Sequence, residues 1–299
     1  MRMKLLCAGE AFEDLVFFAL DHLPDLGEEI KTDHFLATVG GGAVITAVHA
    51  ARLGIRTGIV SALGDTAVAR LKRERVSVTN LRKPNEPHAI TAALSTDEDR
   101  AFVTFNGVNA KLESRLATAL AAFAKAPTSG KASAGQSARQ APQHVHLCLY
   151  PHDCAQWTRI VTRLRKRGVT TSWDFGWNEL LTGDRGLTDL IDALDFVFVN
   201  ELEARLYTGE PTLEAAILHW RQRRAITIVK QGDNGATWIA PDREIHFPAP
   251  RVKVVDTTGA GDAFNAGFLV AWLAGQPPAR CLAAGNKIGA QSTLTAGGI

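Results

Sequence analysis

The chain has 299 residues, 46% hydrophobic and 21% charged, with a formal net charge of +2. That is enough for one large domain with a sizeable core, and the near balance of charge speaks against a nucleic-acid partner, which needs a concentrated basic face. The basic run from Arg70 to Arg75 includes Glu74 and reads as a solvated helix face, and with no stretch of about 18 apolar residues, no membrane partner is expected.

The N-terminal strand is predicted over Lys4 to Ala8, with a continuation near Leu15 to Phe18. Glu10, Glu13 and Asp14 interrupt the apolar run, so it does not resemble a signal peptide. The four cysteines (Cys7, Cys148, Cys154 and Cys281) read as thiols in a cytoplasmic protein. A polar segment over residues 26 to 36 alternates as one or two exposed strands would. Gly40, Gly41 and Gly42 then open a helix that stops at Gly54. Strands are predicted over Thr57 to Leu63, Ala89 to Ser95 and Ala101 to Phe105, the last two as a hairpin, and a helix over Lys111 to Lys125.

Residues 127 to 142 hold nothing apolar larger than alanine and read as a flexible surface loop. After them strand and helix alternate: strands over residues 145 to 150, Val169 to Asp174, Phe196 to Asn200 and Ala225 to Lys230; helices over Ala155 to Arg167, from Glu201, and over Thr212 to Arg223. This pattern predicts an α/β fold, a largely parallel sheet with helices on both faces. Val252 to Val255 reads as a strand, and Ala263 to Ala274 and Ala279 to Ser292 as the last helices.

The stretch DTTGAGD, Asp256 to Asp262, precedes the first of these helices. A helix N-terminus offers free backbone N–H groups and the positive end of its dipole, which favours an anion. Gly259 and Gly261 let those amides approach it, and Asp262 can take a proton from a hydroxyl beside it. A glycine turn with an aspartate cap explains the residues equally well. No GxxxxGK[ST] loop occurs, and a dinucleotide fingerprint would need glycine at Phe264. His144, His146, Cys148, His152 and Cys154 cluster, but the chain supplies no second ligand pair for a zinc site. A core strand explains them better.

Asp256 to Asp262 resembles the second signature of the ribokinase (PfkB) family of sugar and nucleoside kinases. Gly9 to Asp14 resembles that family's first strand, Gly40 to Gly54 its first signature, Asn200 to Glu203 its NxxE motif, and Lys230 to Gly235 its nucleotide-side turn. The resemblance implies a single ribokinase-like domain over residues 1–299. Its fold would be a three-layer α/β/α sandwich with a small β-sheet lid, formed here by residues 26–36 and 88–106. It implies γ-phosphoryl transfer from ATP with Mg2+, and K+ in some members.

On this resemblance Asp262 is the general base, with Gly259, Ala260 and Gly261 supplying amides to the transferred group. Asp14, Gly40, Gly41 and Gly42 face the sugar. Asn200 and Glu203 organise phosphate and Mg2+, the glutamate through water. Lys230, Gly232, Gly235 and Asn286 serve the nucleotide, and Asp256 and Thr258 a monovalent cation. Asp174 matches an acid near the phosphate path. The family's usual asparagine is replaced by Ile45, so either the acceptor is less polar on that side or a group such as His49 or Asn109 takes over its contacts. The expected activity is phosphorylation of a hydroxymethyl group on a sugar or sugar-like acceptor, in a possible homodimer joined through the lid. The alternatives are a nucleoside kinase of the same fold and a non-catalytic sugar or nucleotide sensor.

Overall fold

The computed structural model describes residues 2–96, 100–125, 141–295 and 297–299. Its first strand, β1 (Leu5–Gly9), shows the logic of the whole sheet. Leu5 and Cys7 point to one face, Leu6 and Ala8 to the other, and all four are buried. A strand covered on both sides must be apolar at every position, not at alternate ones.

From β1 the chain leaves the core at once for β2 (Phe12–Leu20) and β3 (Phe35–Gly40), and returns through α1 (Gly42–Arg52), β4 (Thr57–Ser61), α2 (Asp65–Arg73) and β5 (Ser77–Asn80). A second excursion makes β6 (Ile90–Thr96) and β7 (Arg100–Phe105), followed by α3 (Leu112–Lys125). Then come β8 (His144–Cys148), α4 (Cys154–Arg165), β9 (Thr170–Asp174), α5 (Leu187–Ala193), β10 (Phe196–Asn200), α6 (Glu201–Thr208), α7 (Leu213–Trp220) and β11 (Ile226–Lys230). The hairpin β12 (Ala236–Ala240) and β13 (Arg243–Phe247) precedes α8 (Ala260–Leu273) and α9 (Pro278–Ser292).

Nine of these strands form one sheet in the order β13-β12-β11-β10-β9-β8-β1-β4-β5, parallel except for the final hairpin. Residues of α1, α2, α8 and α9 share one core with one face of the sheet, and residues of α3 to α7 share another with the opposite face. This is the α/β/α sandwich. The pairing register aligns Gly9 with Cys148, Cys148 with Asp174, and Asn200 with Lys230. The carboxyl ends of the central strands therefore finish side by side, where open α/β sheets hold their ligands.

A four-stranded sheet, β3-β2-β6-β7, stands above that end. It differs from the expected lid in one segment. Residues 21–34 form no strand, and the second layer is supplied by β2, which starts at Phe12 and is longer than the predicted continuation. Leu26 is wholly exposed among acidic neighbours, so the alternation there has no sheet to pack on. Val252 to Val255 is not a strand either: Val252, Val254 and Val255 are exposed, and it is Thr293, in the turn after α9, whose carbonyl receives the Val255 N–H. The strands β5, β12 and β13 were not expected: β5 and β13 are short edge strands rich in polar residues, and β12 is a buried strand of only five residues between β11 and β13. Most of the loop over 127–142 lies outside the described residues.

Candidate active site

Between the sheet's carboxyl end and the small β-sheet lies a cleft of about 350 Å3. Gly42, Asn200, Glu203, Lys230, Gly259, Gly261 and Asp262 line it, joined by Asp174 and by Glu10 and Tyr150. Each comes from the end of a strand or the start of a helix. Gly259 caps α8 in the left-handed region at φ 72°, which places Gly261 and Asp262 in the first helical turn. Helix starts leave their first N–H groups unpaired, and among the described residues the Gly261 and Asp262 amides have no acceptor. The Ala260 amide does: it donates to Thr257 O at 3.2 Å, so Ala260 is not free to serve an anion as expected.

Asp262 is held by packing. Thr46 of α1 donates to its backbone carbonyl, and a Cβ on Gly42 would come within 2.7 Å of its Oδ1. The absence of that Cβ is what lets α1 approach the acid. Burial pushes the Asp262 carboxyl up to about 7, assisted by the charges of Asp174 and Glu203 and opposed by Lys230.

Lys230 is the electrostatic centre. Its Nζ donates to Asp174 Oδ2 at 2.6 Å, and that oxygen also accepts from Asn265 Nδ2 at 2.7 Å. Burial alone would favour a neutral amine, but Asp174, Glu203 and Asp262 outweigh it and hold Lys230 charged. Burial likewise pushes Asp174 up, and Lys230 and Asn265 more than reverse it, leaving a carboxylate. Asn200 and Glu203 form a capping box on α6, Asn200 Oδ1 accepting from the Glu203 amide and Glu203 Oε2 from the Asn200 amide, both at 2.8 Å. Both residues still line the cleft, so capping and ligand contact are compatible.

Other expected residues do different work. Asp14 sits on β2 with its carboxylate against Gly40 and outside the cleft lining, and burial raises it to about 6. Gly41 packs under the Glu10 carbonyl. Asn109 donates to Ala11 O at the base of the lid, and His49 bonds Gly298 O behind α1. Neither lines the cleft, and Ile45 itself packs on Gly259 and Gly298. Asn286 spends its amide on Phe247 O and Pro248 O, fastening α9 to the end of β13. Asp256 accepts from Thr258 N–H and Oγ1 and from the Gly297 amide, tying the turn to the C-terminal segment.

Gly232 and Gly235 form a tight turn outside the cleft lining. At Gly235 φ is 100°, and a Cβ would overlap the Phe247 carbonyl. Gly235→Ala is therefore expected to destabilise the fold by about 1–3 kcal/mol from backbone strain alone, with a lowered thermal midpoint as the measurement. Of the histidine and cysteine cluster, His144, His146 and Cys148 belong to β8, where His144 Nε2 and His146 Nδ1 both bond Ser172 Oγ, while His152 bonds Glu113 and Cys154 starts α4.

Sequence reasoning missed Glu10, Tyr150 and Asn265. A lone asparagine inside the apolar run of α8 was the available signal for the last; only the fold brings the first two together.

A model of the pfkB family of carbohydrate kinases matches residues 2–299. An ATP-dependent ribose-1-phosphate kinase of Halopiger xanaduensis is 29% identical, over 99% of this chain and 92% of its own. An aminoimidazole riboside kinase of Salmonella typhimurium is 27% identical, over 80% of this chain and 75% of its own. The structure of Arabidopsis thaliana ribokinase complexed with ribose and ATP superposes with a TM-score of 0.76 at 23% identity, covering 99% of this chain and 94% of the other.

Proposed function

The chain belongs to the pfkB family of carbohydrate kinases, and on that premise we propose that it transfers the γ-phosphoryl group of ATP to a hydroxymethyl group of a sugar or sugar-like acceptor. The observation that carries this reading is the meeting, in one cleft, of a half-buried carboxyl group with two unpaired helix-start amides and a charged lysine.

Asp262 Oδ takes the proton as the acceptor oxygen attacks phosphorus. The bond from phosphorus to the bridging oxygen breaks, and ADP leaves. Phosphoryl transfer asks for positioning and charge stabilisation more than covalent help. The Gly261 and Asp262 amides receive the oxygens of the migrating group, and Lys230 supplies the balancing charge. Asn200 and Glu203 offer the oxygen atoms that would hold a Mg2+ ion, which when bound would supply neutralising charge to the nucleotide phosphates. The lid excludes water, which limits wasteful hydrolysis of ATP. It also supports the expected homodimer, because β7 is its edge strand and leaves Phe102 and Val103 exposed.

A coupled ADP-release screen over free sugars, sugar acids, sugar phosphates and nucleosides tests the reading. At least one acceptor should release ADP in proportion to product, and EDTA should abolish the signal until Mg2+ is restored. Tight acceptor binding without ADP from any of them would establish the sensor instead. Exchanging K+ for Na+ in the same assay reads cation dependence directly.

A further inference from the structure

A second cavity of about 660 Å3, larger than the cleft, opens beside it. The two share Glu10, Leu149 and Tyr150 as common walls. With Asp174, Asn200, Glu203 and Lys230 assigned to the phosphate side, Glu10 and Tyr150 are the polar side chains of the shared wall that remain for a sugar. The α1 side of the cleft offers only Gly42, since Ile45 is turned onto Gly259 and Gly298. An acceptor seated against Glu10 and Tyr150 has the second cavity adjoining it, with room for a substituent.

The chemistry of this cavity selects the substituent. Trp177 and Tyr150 line it and are 49% and 42% exposed, an aromatic surface left open to solvent. The Tyr150 ring is seated on Gly176, whose carbonyl accepts from the Tyr207 hydroxyl, so this wall is braced. Asn106 and Asn178 present amides, and Asn109 Oδ1, in a residue only 6% exposed, is buried without a donor. Glu113 spends its oxygens on His152 and the Trp157 indole. Glu10 and Glu113 outnumber Lys111 among the lysine and carboxylate side chains here, which disfavours an anionic group. Flat apolar faces edged by the amides of Asn106 and Asn178 fit a planar ring with polar edges.

We infer that the acceptor is an N-glycoside, a pentose whose anomeric carbon bears a planar nitrogen heterocycle, and that Trp177 and Tyr150 hold the heterocycle in the second cavity. This rests on the kinase reading for the position of the sugar, but it is tested by binding as well as by turnover.

Dissociation constants for ribose, ribose 1-phosphate, and purine and pyrimidine ribonucleosides are to be measured by calorimetry, alongside ADP release, for wild type and Trp177→Ala. Trp177 is half-exposed, so the variant should fold, as circular dichroism will show. At least one nucleoside should bind at least about tenfold tighter than ribose, and Trp177→Ala should weaken it by about tenfold or more, the effect of losing one stacking partner. That result upholds the inference whether or not ADP appears, and its ADP arm separately decides the kinase reading. Ribose or ribose 1-phosphate binding as tightly as every nucleoside, or a Trp177→Ala variant with undiminished nucleoside affinity, would overturn the inference while leaving a kinase of free or phosphorylated sugars intact.

Discussion

Replacing Asp262 with asparagine is expected to lower kcat by about a thousandfold or more, with ATP affinity nearly unchanged. The asparagine amide keeps the size and packing of the side chain but cannot take a proton, and a positioned general base contributes about 10²- to 10⁴-fold. The Gly261 and Asp262 amides and Lys230 remain, so the nucleotide still binds. The pH dependence separates this role from a structural one. Burial first, then Asp174 and Glu203, raise the Asp262 carboxyl to about 7. A base works when deprotonated, so wild-type turnover should rise as pH increases through about 7 and level off above it. The variant should lose that rise. Comparable turnover in Asp262→Asn would remove the base from the mechanism.

The second large effect concerns Lys230. Lys230→Met leaves Asp174 with only Asn265 and the Gly176 amide, Lys230 and Asp174 being 14% and 11% exposed. Breaking a buried pair costs about 3–5 kcal/mol because it strands a charge; opening onto the cleft puts this case near the lower figure. Turnover should fall by about a hundredfold or more as well, since the migrating phosphoryl loses its charged partner. The pH profile adds a signed readout. Lys230 opposes the rise in the Asp262 pKa, so its removal should move the profile to higher pH. Asp174→Asn removes a like charge and should move it lower. In urea unfolding, Lys230→Met with Asp174→Asn should be more stable than Lys230→Met alone. Strict additivity of the two changes would show that the pair is not coupled.

Where chemistry is written into adjacent residues, the sequence was a good guide. The run Gly259 to Asp262 states its own geometry, a glycine turn leading into a helix start, because that conformation is set by the residues themselves. Asn200 and Glu203 were legible for the same local reason. The strand-helix alternation likewise announced the sheet, since strands buried on both faces cannot hide their apolar character. Other features depend on what lies opposite. Nothing local distinguishes Asn286, which fastens two carbonyls, from an asparagine that meets a ligand. The valines of 252–255 have strand composition but no neighbouring strand. Glu10 and Tyr150, about 140 positions apart, meet only because β1 and β8 are paired, and no spacing rule joins them.

Three acids, Asp174, Glu203 and Asp262, crowd around a single ammonium. Before any nucleotide arrives, the pit is therefore weighted toward negative potential, and a bare polyphosphate is repelled at its mouth. Once a divalent companion has masked its tail, the same molecule meets far less resistance. The arrangement acts as an ionic turnstile: uncomplexed ATP should be a feeble competitor of its magnesium salt, and added salt should blunt the discrimination between them.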